Sequence, residues 1–209
     1  VKAWSPAQCR RANASRRACL IARFNFVYAK ERLDAEICLK KFICDIEMVQ
    51  RIIYVAALES FRAAKKAFWK IKITVKRTLA ADYCGRPAAL DVAVLNYIAC
   101  HKDLFDFCCC VQEVVCCLNV NPKLPCPSDV DFNVINCFIR ELCCLAFLMQ
   151  TLIPALDIAF GIDGELFNRN MYYRSCDSDF TAPFVAYHIW PALMENGVVI
   201  VKGEVVTRK

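Results

Sequence analysis

The strongest constraint in this sequence is a stripe. Phe61, Ala64, Phe68, Ile71, Val75 and Leu79 recur at three- and four-residue steps, the spacing that lines up side chains on one face of an α-helix. With Phe42, Ile46, Val49 and Ile53 upstream, the pattern predicts helix from Asp34 to about Leu79. The β-branched run Ile71-Lys72-Ile73-Thr74-Val75 leaves open whether this is one helix or two. Such a stripe has to be covered by other apolar elements, so the chain is expected to be mainly α. The opposite side is basic. At 100° per residue, Arg62, Lys65, Lys66, Lys70, Lys72, Lys76 and Arg77 fall within about −20° to 140° of Lys65, and the stripe within about 240° to 320°. Trp69 and Ile73 lie inside the basic sector.

The flanking sequence reads as further helices. Ser5-Pro6 is a helix start, and helical pattern runs from there to about Arg32. Cys84-Gly85-Arg86-Pro87 punctuates the chain. A third helix is expected from Ala88 to Leu118, and a fourth after Ser128, its cap, with Asp129 and Asp131 in the first turn. Pro154 stops that helix. Val185 to Trp190 and Val198 to Val206 read as strands joined across the Glu195-Asn196-Gly197 turn. The expected architecture is a bundle of about four helices with a small C-terminal β-hairpin. Residues 1–209 are taken as one domain: a basic N-terminal helix over 1–33, bundle helices over 34–153, and loop plus hairpin over 154–209.

Composition narrows the class. With 58% apolar residues, 5 glycines and 8 prolines, the chain is not a disordered tail. The uncharged run Leu142 to Leu156 is shorter than the ~20 residues a spanning helix needs, and is read as a buried core helix. Val1 to Arg23 has no apolar core of a secretory signal; its arginine-rich, acid-free make-up also suits a transit peptide, a reading ranked below a folded basic helix. Sixteen cysteines include Cys108-Cys109-Cys110, Cys116-Cys117 and Cys143-Cys144. No two stand in a C-x-x-C relation, which argues against zinc, and adjacent residues rarely pair with each other, which argues against a disulfide framework. Most are expected to be reduced, buried thiols in a cytosolic protein. No metal and no cofactor are expected.

Charge is uneven. Residues 1–86 hold 19 Lys and Arg against 7 Asp and Glu, a net of +12, whereas residues 87–209 carry a net of −6. The first half therefore calls for an anionic partner, or for docking of the acidic half upon it. Arg10, Arg11, Arg16 and Arg17 add to the candidate anion-binding set of the helix face. No nucleic-acid reading motif is present, so lipid ranks above nucleic acid. The only histidines are His101, near Asp103, Asp106 and Cys108, and His188, in a strand beside Trp190. A Cys–His pair could support nucleophilic catalysis. No phosphate loop or helical His pair accompanies either, and the chain is expected not to be an enzyme.

Asp177 to Arg208 reads DSDFTAPFVAYHIWPALMENGVVIVKGEVVTR. Its Trp190-Pro191-Ala192-Leu193 core followed by Lys202-Gly203 resembles the closing signature of the C-terminal domain of the mitochondria-eating protein family. Phe132 to Phe160, with FIRELC and LAFLMQ before Asp157-Ile158-Ala159-Phe160, is similar to the family's helix-then-proline-turn order, and Phe42 to Phe68 also fits. The resemblance covers roughly residues 25–209. The chain departs from the family pattern at Pro154-Ala155, where a Pro-Pro pair is usual, in its cysteine density, and in lacking the preceding coiled coil, so self-association is left open. The resemblance implies a cytoplasmic protein that associates with mitochondria in mitochondrial quality control, with cardiolipin and protein partners and no catalytic residues. Trp190, Pro191, Lys202 and Gly203 then have a structural role.

Overall fold

The computed structural model describes residues 6–81, 87–125 and 130–209. The expected Ser5 and Ser128 caps, Asp129 and the Cys84-Gly85-Arg86 break lie outside the described residues. Helix α1 (Pro6–Phe26) runs through a π-turn (Val27–Glu31) straight into α2 (Arg32–Leu39). The predicted boundary at Asp34 therefore moves to residues 40–45. Asp34 pairs with Lys30 one turn back, and the cap is Asp45, whose carboxylate accepts from the Glu47 N–H at 3.0 Å. That cap opens α3 (Ile46–Ala80), one unbroken helix of 35 residues. Phe42 and Ile46, assigned to the stripe, are exposed in the turn and at the helix start.

The third predicted helix is two. Helix α4 (Pro87–Cys100) gives way to a 3₁₀ turn (Lys102–Leu104), and α5 (Phe107–Asn119) starts afresh. Asp106 causes the restart by accepting from the Cys109 N–H at 2.9 Å, an N-cap that competes with continued helix. A 3₁₀ turn (Phe132–Ile135), capped by Asp131, leads into α6 (Asn136–Gln150). The expected four-helix bundle is thus five rods, counting α1 and α2 as one.

Helix α3 is the axis. Phe61, Ala64, Phe68 and Val75 are buried against α4, α5 and α6, with Val94, Ile98, Val111, Val114, Leu118, Leu142 and Phe147 in the same apolar core. Phe147 stacks on Phe105 at 4.2 Å and meets Phe68 edge-on at 5.7 Å. The stretch Phe132–Gln150 is long and apolar enough to cross a membrane, yet more than half of it is enclosed by protein. It behaves as a core helix.

The C-terminus is richer than a hairpin. Strands β1 (Leu156–Ile158), β4 (Leu193–Glu195) and β5 (Val198–Val201) form one antiparallel sheet. Strands β2 (Tyr172–Arg174), β3 (Val185–Trp190) and β6 (Gly203–Thr207) form a second, with β2 parallel and β3 antiparallel to the central β6. The predicted second strand is split at Lys202 because β5 and β6 serve different sheets. The Asn196-Gly197 turn is where expected, with φ of 49° and 79°, the left-handed pair of a tight hairpin. Strands β1, β2 and β4 have three residues each, too short for an alternating pattern to be read.

No disulfide is present among the described residues, but the expectation of buried thiols fails: Cys110 and Cys143 alone among them are buried, while Cys19, Cys44, Cys100, Cys108, Cys109, Cys116, Cys137 and Cys176 are exposed. Adjacent residues on a helix point 100° apart, and in each of these clusters the core-facing direction takes one cysteine at most: Cys110 of the first, neither of Cys116-Cys117, and Cys143 of the last.

Candidate functional site

The outer face of α3 is built by the same periodicity that buries its inner face. Trp69 and Ile73 are each 49% exposed, between Lys70, Lys72 and Arg77. The Lys72 ammonium lies 4.7 Å above the Trp69 ring, a cation–π contact that leaves both groups open to solvent. Among the described residues, Lys70, Lys72 and Arg77 have no acidic side chain in ion-pair contact.

The other four cations are answered. Lys65 pairs with Asp157 of β1, Lys66 with Glu113 of α5 at 2.6 Å, Lys76 with Asp91 of α4 at 2.7 Å, and Arg62 with Glu59 of its own helix. Three of those acids come from the acidic half of the chain. Hydrogen bonding to Glu113 raises Lys66 above its ordinary pKa, and the Lys76 hydrogen bond holds Asp91 below the usual carboxylate value. The basic face is therefore half answered and half open, and its open half surrounds Trp69.

Of the candidate N-terminal arginines, Arg17 is engaged elsewhere. Arg17 makes a two-pronged bond to Glu195 of β4, at 2.7 and 3.1 Å. Arg10 and Arg11 are exposed, and Arg16 is half-buried with its Nε lacking a partner. Among the described residues no shared partner draws them together with the α3 cations.

The tail signature is inside the molecule. Trp190 is 1% exposed, with Phe24 at 5.5 Å, Tyr28 at 5.7 Å and Phe138 at 6.4 Å from its ring centre. Pro191 is buried and follows the last residue of β3, where its missing N–H costs no ladder bond. Gly203 crosses this segment so closely that a Cβ would sit 2.4 Å from the Trp190 carbonyl oxygen. Lys202 donates to the Arg169 carbonyl at 2.7 Å and covers Tyr173.

The histidines are held separately. His101 stacks on Tyr97 at 3.9 Å and bonds its carbonyl. His188 is wholly buried, stacked on Tyr54, with Nδ1 3.4 Å from Asp163 and Nε2 2.9 Å from Glu165. Burial pushes the Tyr54 hydroxyl up to about 12, the Gly161 N–H it accepts opposing this. With its carboxylates on the solvent side and its ring enclosed, His188 acts as a post on which the 159–166 loop closes.

That loop was missed by sequence reasoning. Asp163 and Glu165 turn inward to His188, and Asp163 also to Arg51 at 2.5 Å, while Ile162 (73%) and Leu166 (69%) face solvent with Phe160 and Phe184. The one local signal was the pair Gly161 and Gly164. A Cβ on Gly161 would overlap the His188 ring, so the close approach requires glycine.

Among the described residues no group of three or more His, Cys, Asp or Glu side chains is arranged to hold a metal. A family model described as "Mitochondria-eating protein" matches residues 16–207, nine residues further toward the N-terminus than the resemblance read from the tail. Curated relatives of the same name include one from Gallus gallus, 55% identical over 97% of this chain and 42% of the relative. Others are from Sus scrofa, 52% identical over 100% and 37%, and Homo sapiens, 50% identical over 100% and 39%. The chain spans about two-fifths of the length of these relatives. No solved structure matches. With a match that runs through every helix of the α3 bundle and both sheets, the chain belongs to the mitochondria-eating protein family.

Proposed function

We propose that this chain is a non-enzymatic domain for mitochondrial quality control. It stands on the cytoplasmic side and docks on anionic, cardiolipin-containing membranes through the outer face of α3, with protein partners besides. The observation that carries this reading is the exposed Trp69–Ile73 pair set among Lys70, Lys72 and Arg77. An indole and a branched aliphatic group can enter the headgroup boundary while ammonium and guanidinium groups meet phosphate. The mitochondrial setting comes from the names of the relatives, and the cardiolipin preference from the family resemblance. The fold offers a stiff platform: the inner face of α3 is locked in the core, so binding does not require the helix to form.

The second reading is an interaction bundle that does not touch lipid. It is favoured by the pairing of Lys65, Lys66 and Lys76 with Asp157, Glu113 and Asp91, which lowers the field of the face. Co-sedimentation with cardiolipin vesicles across a salt series separates the two. Membrane docking gives binding that weakens steeply as the Debye length falls to ~8 Å at physiological ionic strength. Lys70→Glu with Lys72→Glu and Arg77→Glu should remove most of the low-salt binding, and Trp69→Ala what persists at high salt. Wild-type protein that ignores such vesicles even at low salt decides for the interaction bundle.

A further inference from the structure

Among the described residues two cysteines are buried, and those two meet each other. Cys110 of α5 is 4% exposed and Cys143 of α6 is 0% exposed, and both belong to the apolar core shared by α3, α5 and α6. Their thiols share a hydrogen bond across the α5–α6 seam. Ser60 of α3, wholly buried, hydrogen-bonds the Cys143 sulfur from a third helix. Space filling alone asks for no such meeting, since Ala56, Ala64 and Ala146 occupy other small positions of this core without a polar side-chain atom.

The two thiols are not equivalent. The Cys143 S–H donates to the Cys110 sulfur, which holds the Cys110 thiol below its ordinary pKa although burial opposes this. The same hydrogen bond, and burial with it, push the Cys143 thiol up. Cys110 also lies in the first turn of α5, its N–H bonded to the Asp106 carbonyl, where the partial positive charge of a helix N-terminus favours a thiolate. One sulfur is thus set up as nucleophile, and the other as the donor that stabilises it and can later resolve it.

Burial decides which oxidant reaches them. Exchange with a disulfide needs access for a bulky sulfur, and a residue 4% exposed leaves no room for one. A hydroperoxide is scarcely larger than water. We propose that Cys110 and Cys143 form a peroxide-reactive dithiol site, in which hydrogen peroxide closes a disulfide between α5 and α6. The Cys110 thiolate attacks one peroxide oxygen and the O–O bond breaks. The departing hydroxide takes up the proton that the Cys110 thiol gave up and leaves as water, with Cys110 now a sulfenic acid. The Cys143 sulfur then attacks the Cys110 sulfur, the S–O bond breaks, and the second hydroxide leaves as water with the Cys143 proton. Two thiols lose two electrons and one peroxide becomes two waters. The new bond closes the chain between the two helices into a ring and so constrains the unfolded state. This is independent of membrane docking, which uses the outer face of α3.

Disulfide mapping of the 209-residue chain tests it. Reduced, folded protein is treated with stoichiometric hydrogen peroxide, unfolded in an alkylating reagent, digested, and sequenced by fragmentation in a mass spectrometer. Cys110–Cys143 should be the main disulfide, dithiothreitol should remove it, and the oxidised protein should melt roughly 5–10 °C above the reduced one. Glutathione disulfide should instead modify exposed thiols such as Cys108, Cys109 and Cys116 and leave the pair reduced. In Cys143→Ala, its fold checked by circular dichroism, Cys110 should stop at the sulfenic acid and be trapped by a cyclic 1,3-diketone. Should that variant not fold, the wild-type map decides alone. Cys110 and Cys143 that remain alkylatable after peroxide treatment while exposed thiols are oxidised overturn the proposal. So does a link between other cysteines in place of this one, or a Cys110–Cys143 link that glutathione disulfide forms as readily.

Discussion

The outer face of α3 and the 159–166 loop arrange the same kinds of residue in opposite ways. On α3 the apolar side chains go in and the cations go out, as helical periodicity dictates. In the loop, Asp163 and Glu165 turn back to the buried His188 from its solvent side, and Ile162 and Leu166 go out. The difference is what each packs against. The stripe of α3 faces apolar side chains of α4, α5 and α6, so burying a charge there would be costly. The loop faces His188 and Arg51, two nitrogen-bearing side chains already held by the sheet and by α3, and its carboxylates gain more by turning to them than to water. Local pattern decides the first arrangement and a distant partner the second. Regions built inward should therefore fail by unfolding, and regions built outward by losing a partner.

The largest effect is expected at Trp190. Its ring fills the junction of α1, α6 and β3, and Trp190→Ala should destabilise the protein by ~3–5 kcal/mol in urea unfolding, as for other buried large aromatics. Gly203→Ala should cost about 3 kcal/mol, because the new methyl meets backbone that has little room to shift, and Gly161→Ala about 2 kcal/mol by displacing His188. The triple change of Lys70, Lys72 and Arg77 to Glu should change the unfolding free energy far less, by about 0.5 kcal/mol per substitution at most. A melting temperature unmoved by Trp190→Ala would break the contrast between the two regions.

Acid should open the loop before the helices. Burial alone would raise Asp163, but hydrogen bonds from His188 and Arg51 outweigh it and hold the carboxyl below its usual value. A carboxyl with a depressed folded-state pKa stabilises the protein above its unfolded value, near 4, and loses that contribution as pH falls through the folded value. Hydrogen exchange of residues 159–166 should therefore accelerate below about pH 4, while exchange of α3 stays slow. Asp163→Asn should make the loop labile already at neutral pH and flatten this acid dependence. A loop as protected as α3 at pH 3 would show that the carboxylate does not hold it.

What could be read from the sequence follows the same division. The α3 stripe, the basic sector, the Asn196-Gly197 turn and the burial of Trp190 each rest on residues close together in the chain or on a residue type with one usual fate. The break at residues 40–45, the restart at Asp106 and the exposed cysteines were misread because a cap and a helix interior can hold the same residue types. The inverted loop depends on His188, 23 residues from Glu165, and Arg51, 112 residues from Asp163 in sequence, and no local pattern announces such partners. The open half of the candidate site was legible as a basic face. Its answered half was not, because Asp91, Glu113 and Asp157 reach α3 from three different elements.

The smallest expected effect probes that answered half. Asp91 and Glu113 lie at the surface, and exposed ion pairs add little to stability because water and salt compete with them. Asp91→Asn and Glu113→Gln should leave unfolding unchanged within the error of a denaturation curve. Each would release one lysine, Lys76 or Lys66, from its acid partner without altering the helix. If the α3 face docks on anionic bilayers, each released ammonium adds its own attraction to the surface, and vesicle binding at low salt should rise roughly twofold to fivefold per substitution. The gain should vanish at high salt, since it is purely electrostatic, and Trp69→Ala should not reduce it in proportion. A face that works through protein contacts with these same acids would respond in the other direction, losing partner binding while vesicle binding stays flat.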